Sequence, residues 1–331
     1  AFSGRLKRKE QLGGAIIIAA LLVAGLIVPS RFRETGAGEI LKAALIQGNS
    51  TPEEILTAAG KKKILKRYLA MTRQAAAAEP QLQLVVWPET VVDLHMEQGG
   101  LHRPEMKALA EELNLNILYG ARLRDGSHLY NSITLLSPGD GQVQLYHKQR
   151  LVPFVEYFPL HEQLNQILDL DQLKLGCYTA GKEITIFEIK NIPLAAVVCF
   201  ESYFGSLTRQ FARDGARHLF VLTNDVWFGE TIGLEQHVQV AAIRAAEMGI
   251  GVTQVANSGI TASFDYRGRE IFRSGKSKPD MFILPLELAR RKTVYALAGD
   301  YFPAIWAAHL AVSTIYVLAI KRRNRRLAKS L

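Results

Sequence analysis

Residues 195–205 read AAVVCFESYFG: an unbroken apolar run, then a cysteine, then an acid two positions further on. The run has the length and branching of a buried strand, which places the sulfur where that strand ends. Strand ends in α/β sheets open onto pockets, and chemistry collects there. A free cysteine is equally at home as core filler, being among the most buried residue types. The other strand ends have to decide between packing and chemistry.

Outward from this stretch, strands alternate with helices. Strands are expected at Ile40–Ile46, Leu82–Trp87, Asn116–Leu123, Asn131–Leu136, Gln142–His147, Ile184–Ile189, Leu194–Cys199, Leu219–Thr223, Gly251–Ala256 and Thr261–Phe264. Helical spacing of apolar residues predicts helices over Pro52–Ala78, Arg103–Leu113, Ser206–Asp214 and Glu235–Met248. Ser137-Pro138-Gly139-Asp140-Gly141 is a turn between two strands, Pro fixing φ and Gly admitting positive φ. The class is therefore α/β with a mixed sheet.

Three strand ends carry reactive groups. VVWPET ends one with Glu89, LYHKQR another with Lys148, and AAVVCFES the third with Cys199 and Glu201. A carboxylate can take a thiol proton, and a fixed ammonium stabilises both thiolate and oxyanion. Together they are what thiol-based acyl transfer requires. The chain has two cysteines, and a Cys177–Cys199 disulfide would compete with a nucleophilic Cys199. No His/Cys/Asp group has ligand spacing, so no metal is expected, and no phosphate-cradling glycine motif calls for a cofactor.

Both ends are apolar. Leu12–Pro29 and Tyr301–Ile320 carry no Asp, Glu, Lys or Arg over 18 and 20 residues, near the roughly 20 that a bilayer core of about 30 Å requires. The flanks 1–12 and 321–331 hold 10 of the 40 Lys and Arg but 1 of the 31 acids, so the whole net charge of +9 resides there. Basic flanks stay cytoplasmic. The expected order is a basic cytoplasmic flank (1–11), a transmembrane helix (12–29), an exported catalytic domain (38–300), a second transmembrane helix (301–320) and a basic cytoplasmic tail (321–331). With the tails set aside no basic face remains for nucleic acid.

These residues carry a resemblance. PET at 88–90, the run Tyr-x-Lys-x-x-Leu-Val-Pro-Phe-x-Glu-Tyr-x-Pro at 146–159, Val-Cys-Phe-Glu-Ser at 198–202 and Thr-Asn-Asp-x-Trp-Phe-Gly at 223–229 resemble the nitrilase (carbon–nitrogen hydrolase) superfamily, within it the membrane-bound apolipoprotein N-acyltransferase branch. Arg244-Ala245-Ala246-Glu247, Asn257-Ser258-Gly259 and Gly299-Asp300-Tyr301 match that pattern too. The resemblance implies an αββα sandwich flanked by the two membrane helices, with the domain in the periplasm and both termini cytoplasmic. It implies Glu89 as general base, Lys148 as oxyanion-stabilising cation and Cys199 as nucleophile. Glu156, Glu201 and Asn131 stand in support, with Phe200, Asn224, Trp227 and Phe228 toward substrate; core packing competes for the last two.

The implied reaction moves an acyl chain from a phospholipid, through a Cys199 thioester, to the N-terminal amine of a diacylglyceryl apolipoprotein at the inner membrane. The alternative is a membrane-tethered amidase or hydrolase using water or another amine. Leu-rich residues 160–175, within a lid-like segment at about 151–180, resemble an acyl-entry lid, against an ordinary amphipathic helix. The branch usually carries several membrane helices ahead of this domain where one is seen here, so an N-terminally truncated form or a paralogue is expected. Gln47-Gly48-Asn49 and Phe200 depart from its Gln-Pro-Asn and Tyr, changes that bear on substrate positioning.

Overall fold

The computed structural model describes residues 34–36, 38–96, 100–139, 143–159, 178–229, 231–276 and 278–327. The expected first membrane helix, its basic flank, Cys177 and the stretch 160–177 of the lid-like segment lie outside them. In chain order the elements are β1 (Glu34–Thr35), β2 (Ile40–Gln47), α1 (Pro52–Leu56), α2 (Ala58–Ala78), β3 (Leu84–His95), α3 (Pro104–Leu113), β4 (Asn116–Asp125), β5 (His128–Leu136), β6 (Gln144–His147), β7 (Phe187–Ile189) and β8 (Ile192–Val198). They continue as α4 (Gly205–Arg213), β9 (His218–Thr223), α5 (Gly233–Met248), β10 (Gly251–Ala256), β11 (Ala262–Phe264), β12 (Glu270–Arg273), β13 (Asp280–Glu287), β14 (Arg290–Arg291), α6 (Val294–Ala298) and α7 (Tyr301–Leu327).

Two six-stranded mixed sheets result, in the orders β13-β2-β3-β4-β5-β6 and β12-β11-β10-β9-β8-β7. One hydrophobic core joins Leu45, Val86, Leu118 and Ile133 of the first sheet with Val197, Phe220, Leu222 and Val252 of the second. Leu207, Phe211, Val238 and Ala241 of α4 and α5 close the outer side of the second sheet. Ile64 and Tyr68 of α2, with Met106 and Leu109 of α3, cover the first. The architecture is the αββα sandwich. The parallel pairs β2–β3, β3–β4, β8–β9 and β9–β10 form its centre. Strands buried on both faces read as continuous apolar runs, which is why they are legible.

Several expectations need correction. The single helix predicted over 52–78 is two, because Thr57 turns extended (φ −106°, ψ 147°) and its hydroxyl caps α2 through Gly60 N at 3.1 Å. Glu89 does not end its strand. β3 runs on to His95, with the register to β4 shifting between Trp87 and Val92. Pro88 cannot donate to a ladder, and Thr90 sits at φ 52°, so the chain bulges there. Gly120 on β4 admits the bulge: a Cβ at that position would meet Pro88 O at 2.5 Å and Glu89 Cα at 2.6 Å. Edge strands β12 and β13 were not expected; β13 contains Pro285, which an edge tolerates.

The sandwich passes into α7 through α6. Arg209 of α4 donates to the carbonyls of Tyr295, Ala296 and Leu297 at 3.0, 2.9 and 2.5 Å, capping α6. Within α7, Pro303–Ile320 has mean hydropathy 1.7 and none of it is buried inside the protein. Residues 321–327, expected as the start of the tail, continue the same helix.

Candidate active site

One end of the sandwich gathers side chains from β3, β5, β6, β8 and the loops beyond them. Lys148 follows β6 directly, its backbone N–H donating to Asn131 O at 2.8 Å. Its side chain is 1% exposed, with Nζ 2.8 Å from Glu156 Oε1 and 3.8 Å from Glu89 Oε1. Asn131 Nδ2 donates to both acids, at 2.8 Å to Glu89 and 3.0 Å to Glu156. Glu89 Oε2 accepts from the Asn224 backbone N–H at 2.9 Å. Glu156 Oε2 accepts from Val152 N–H at 2.8 Å, which fixes the loop 152–157 over the cluster.

The cysteine closes the arrangement. Cys199 begins a 3₁₀ turn after β8 at φ 48°, a left-handed conformation that a cysteine occupies only when its surroundings impose it. The residue is partly exposed and its thiol is free. Glu201 imposes the turn from below. Its Oε2 accepts from Val198 N–H at 2.8 Å, and its Oε1 from Tyr146 Oη at 2.8 Å, Gln149 N–H at 2.7 Å and Arg150 N–H at 3.1 Å. One buried carboxylate thus ties the segment after Lys148 to the Cys199 turn.

The charges shift one another. Burial pushes the Glu89 carboxyl up and Glu156 adds to it, more than Lys148, Asn131 and the Asn224 amide pull it back. Burial opposes the Lys148 ammonium, but Glu89, Cys199 and Glu156 outweigh it and raise its pKa above the ordinary lysine value. Burial raises the Cys199 thiol well above its ordinary value, with Glu89 and Asp225 adding and Lys148 and Thr223 opposing. A resting thiol beside a proton-hungry carboxylate and a committed ammonium suits attack with proton transfer, rather than a standing thiolate.

Of the remaining expected residues, Asn224 presents its backbone to Glu89, while its side-chain oxygen accepts from Asn257 Nδ2 at 3.2 Å. Phe200 is half-buried against Phe204 and Tyr203, with centroids at 5.2 and 5.7 Å. Trp227 and Phe228 are not core: they are 72% and 40% exposed on the turn after β9. Phe154 and Val155 stand exposed on the Glu156 loop.

Sequence reasoning did not single out Asp225 and His237. The polar atoms of Cys199, Asp225 and His237 lie within 4.8 Å of one another, although 12 and 26 positions separate them in the chain. These are metal-ligating residue types, but both imidazole nitrogens already face protein oxygens, so the cluster reads as a hydrogen-bond network. Asp225 stood inside a quoted motif; His237 stands in no motif and betrays itself only as a buried polar side chain on the apolar face of α5.

Comparison with known proteins adds three findings. A family model described as carbon–nitrogen hydrolase matches residues 42–294. The apolipoprotein N-acyltransferase of Methylococcus capsulatus is 30% identical over 94% of this chain and 60% of its own length, and that of Geobacter metallireducens 29% identical over 93% and 59%. The chain thus spans about three fifths of the curated relatives it matches. A branch 10 nitrilase-superfamily protein of Saccharomyces cerevisiae superposes with a TM-score of 0.57 at 16% identity, over 76% of this chain and 91% of that one.

Proposed function

Because the chain belongs to the carbon–nitrogen hydrolase family, we propose that it is an N-acyltransferase working through a Cys199 thioester, with a membrane phospholipid as acyl donor and the N-terminal amine of a diacylglyceryl apolipoprotein as acceptor. The observation that carries the reading is the partly exposed Cys199 turn set against the buried Lys148 held between Glu89 and Glu156. The names of the similar N-acyltransferases supply the acceptor class, and the phospholipid donor is what the sequence resemblance implies.

In the first half-reaction Glu89 takes the thiol proton as Cys199 attacks the donor's ester carbonyl, and Lys148 faces the charge that develops on oxygen. Glu89 returns the proton to the departing lysophospholipid hydroxyl, leaving the thioester. In the second half the acceptor amine attacks the thioester carbon, Glu89 accepts its proton, and the thiol is regenerated with the amide. Glu156 and Asn131 hold Lys148 and Glu89 in place, and Glu201 holds the turn. The exposed Phe154, Val155, Trp227 and Phe228 offer an apolar rim for acyl chains. The apolar α7 anchors the domain at the bilayer, with the catalytic layers on the periplasmic side and both termini cytoplasmic, and this keeps the site where both lipids are concentrated.

The test supplies radiolabelled phospholipid and a diacylglyceryl-cysteine peptide to the purified chain in detergent. Label on the peptide amine, lost in Cys199→Ser, is the expected result. Release of free fatty acid alone, with an unlabelled peptide, would make the chain a hydrolase.

A further inference from the structure

Beside the Cys199 turn, and built separately from the Lys148 cluster, lies a second buried ionisable pair. Asp225 is 2% exposed and His237 1%. Asp225 Oδ1 accepts from Thr223 Oγ1 at 2.7 Å and lies 3.0 Å from His237 Nδ1. His237 Nε2 lies 3.3 Å from the Cys199 carbonyl oxygen and 3.2 Å from Ser202 Oγ. Asp225 Oδ2 is buried with no hydrogen-bond partner among the described residues. Gly259, at φ 120°, lets the chain pass close to it, since a Cβ there would come within 3.0 Å of Oδ2.

Hydrogen-bond logic favours a ring that donates from both nitrogens. A carboxylate and a carbonyl only accept, so an imidazole between them satisfies both only when both its nitrogens carry protons. A neutral ring protonated at Nδ1 could accept from Ser202 Oγ at 3.2 Å, but it would turn its Nε2 lone pair toward the Cys199 carbonyl at 3.3 Å and offer that carbonyl no donor. The charge balance points the same way. Glu89, Lys148 and Asp225 are the charged groups facing the sulfur, with Tyr203 beyond, and a lone Asp225 carboxylate there opposes the thiolate. Asp225, Cys199 and the stacked Tyr203 ring face His237, and Phe228 closes its edge.

We propose that His237 is a positioning residue for the nucleophile: as an imidazolium it holds the left-handed Cys199 turn by its carbonyl and cancels the Asp225 charge beside the thiol, so that the sulfur's proton leaves toward Glu89. The inference rests on Cys199 being the nucleophile of the proposed transfer, but not on the identity of either substrate.

The experiment follows alkylation of Cys199 by iodoacetamide against pH in the full chain in detergent, with peptide mass spectrometry separating Cys199 from Cys177. His237→Gln keeps a donor for the carbonyl but removes the cation, so its alkylation inflection should rise by about one pH unit or more. The double variant Asp225→Asn/His237→Gln should return it to within about half a unit of the parent. An unmoved inflection in His237→Gln, or no return in the double variant, overturns the proposal; a merely structural role would lower the melting temperature and leave the inflection alone. Should His237→Gln fail to fold, Asp225→Asn alone carries the test: an inflection at or below the parent's supports the pair, and an upward shift overturns it. The expected alkylation pattern in a chain that acylates no peptide would overturn the acyl-transfer reading while supporting the role of the pair.

Discussion

Lys148 Nζ lies 2.8 Å from Glu156 Oε1 and 3.8 Å from Glu89 Oε1, so Glu156 takes its hydrogen bond while both carboxylates face its charge. The unequal distances divide the labour between the two acids. Glu156 holds the cation, while Glu89 keeps a raised affinity for a proton.

The first prediction follows for pH. A general base must be unprotonated, and the folded Glu89 carboxyl binds its proton more tightly than an ordinary one. Thioester formation should therefore fall on the acid side at a pH above the usual carboxylate range, as Glu89 gains its proton. Single-turnover acylation against pH reads this directly. Glu89→Gln keeps one accepting oxygen and turns its amide toward the other donor, so it should cost about 1–3 kcal/mol of stability and lose about 10²–10⁴ in rate. Parent-like acylation in this variant would remove Glu89 from the mechanism.

Removing the cation tests the pair as structure. Lys148→Met leaves Glu89 and Glu156 facing each other in a desolvated site, and breaking a buried pair costs about 3–5 kcal/mol. Urea unfolding should show that loss, and Lys148→Met/Glu156→Gln should recover a large part of it. An additive double variant would mean that the two residues do not act as a pair.

Glu201 was legible as an acid next to the proposed nucleophile, but its four donors were not. Val198, Tyr146, Gln149 and Arg150 all point at this one carboxylate. Glu201→Gln replaces an accepting oxygen with a donor against donors, stranding at least one of them at about 1–3 kcal/mol. Stability and acylation should fall together, since the same change frees the segment after Lys148. An acylation rate that drops at unchanged stability would instead place Glu201 in direct contact with substrate.

What could be read from the chain and what could not have physical causes. The runs Leu194–Val198 and Leu219–Thr223 are buried on both faces, so hydrophobicity alone reveals them. The edge β12 offers only the four residues Glu-Ile-Phe-Arg, and in β13 Pro285 argues against a strand until the edge position is known. Cys199, Lys148 and Glu89 were legible because each adjoins an apolar strand. The bulge at Glu89 was hidden, because a bulge is a relation to the neighbouring strand. His237 was hidden because one helical face can bury a histidine as readily as a leucine, and its partner Asp225 reaches it only in the fold.

Gly120 makes the bulge a testable device. A methyl group there meets backbone atoms of Pro88 and Glu89 near 2.5 Å, and backbone cannot swing aside as a flexible side chain can. Gly120→Ala should displace Glu89 from Asn131 and Asn224 and slow acylation by about tenfold or more, the usual penalty for a misplaced catalytic group. Overpacking of this kind also costs about 1–3 kcal/mol. Unchanged single-turnover acylation would show that the bulge does not set the position of Glu89.

Acid stability offers a last prediction, away from the site. His218 opens β9 at 1% exposure, its Nε2 2.8 Å from Thr253 Oγ1 and its Nδ1 buried without a partner among the described residues. Burial lowers its pKa to about 3 from an ordinary 6.5. Between those values the unfolded chain binds a proton that the folded chain refuses, so stability falls as pH falls below 6.5, and above it this residue contributes no pH dependence. The slope is about 1.4 kcal/mol per pH unit, or about 2 kcal/mol between pH 6.5 and 5. Urea midpoints at those two pH values measure it. His218→Asn should weaken the fold at neutral pH but remove this share of the acid slope, and an undiminished slope would mean that the proton is taken up elsewhere.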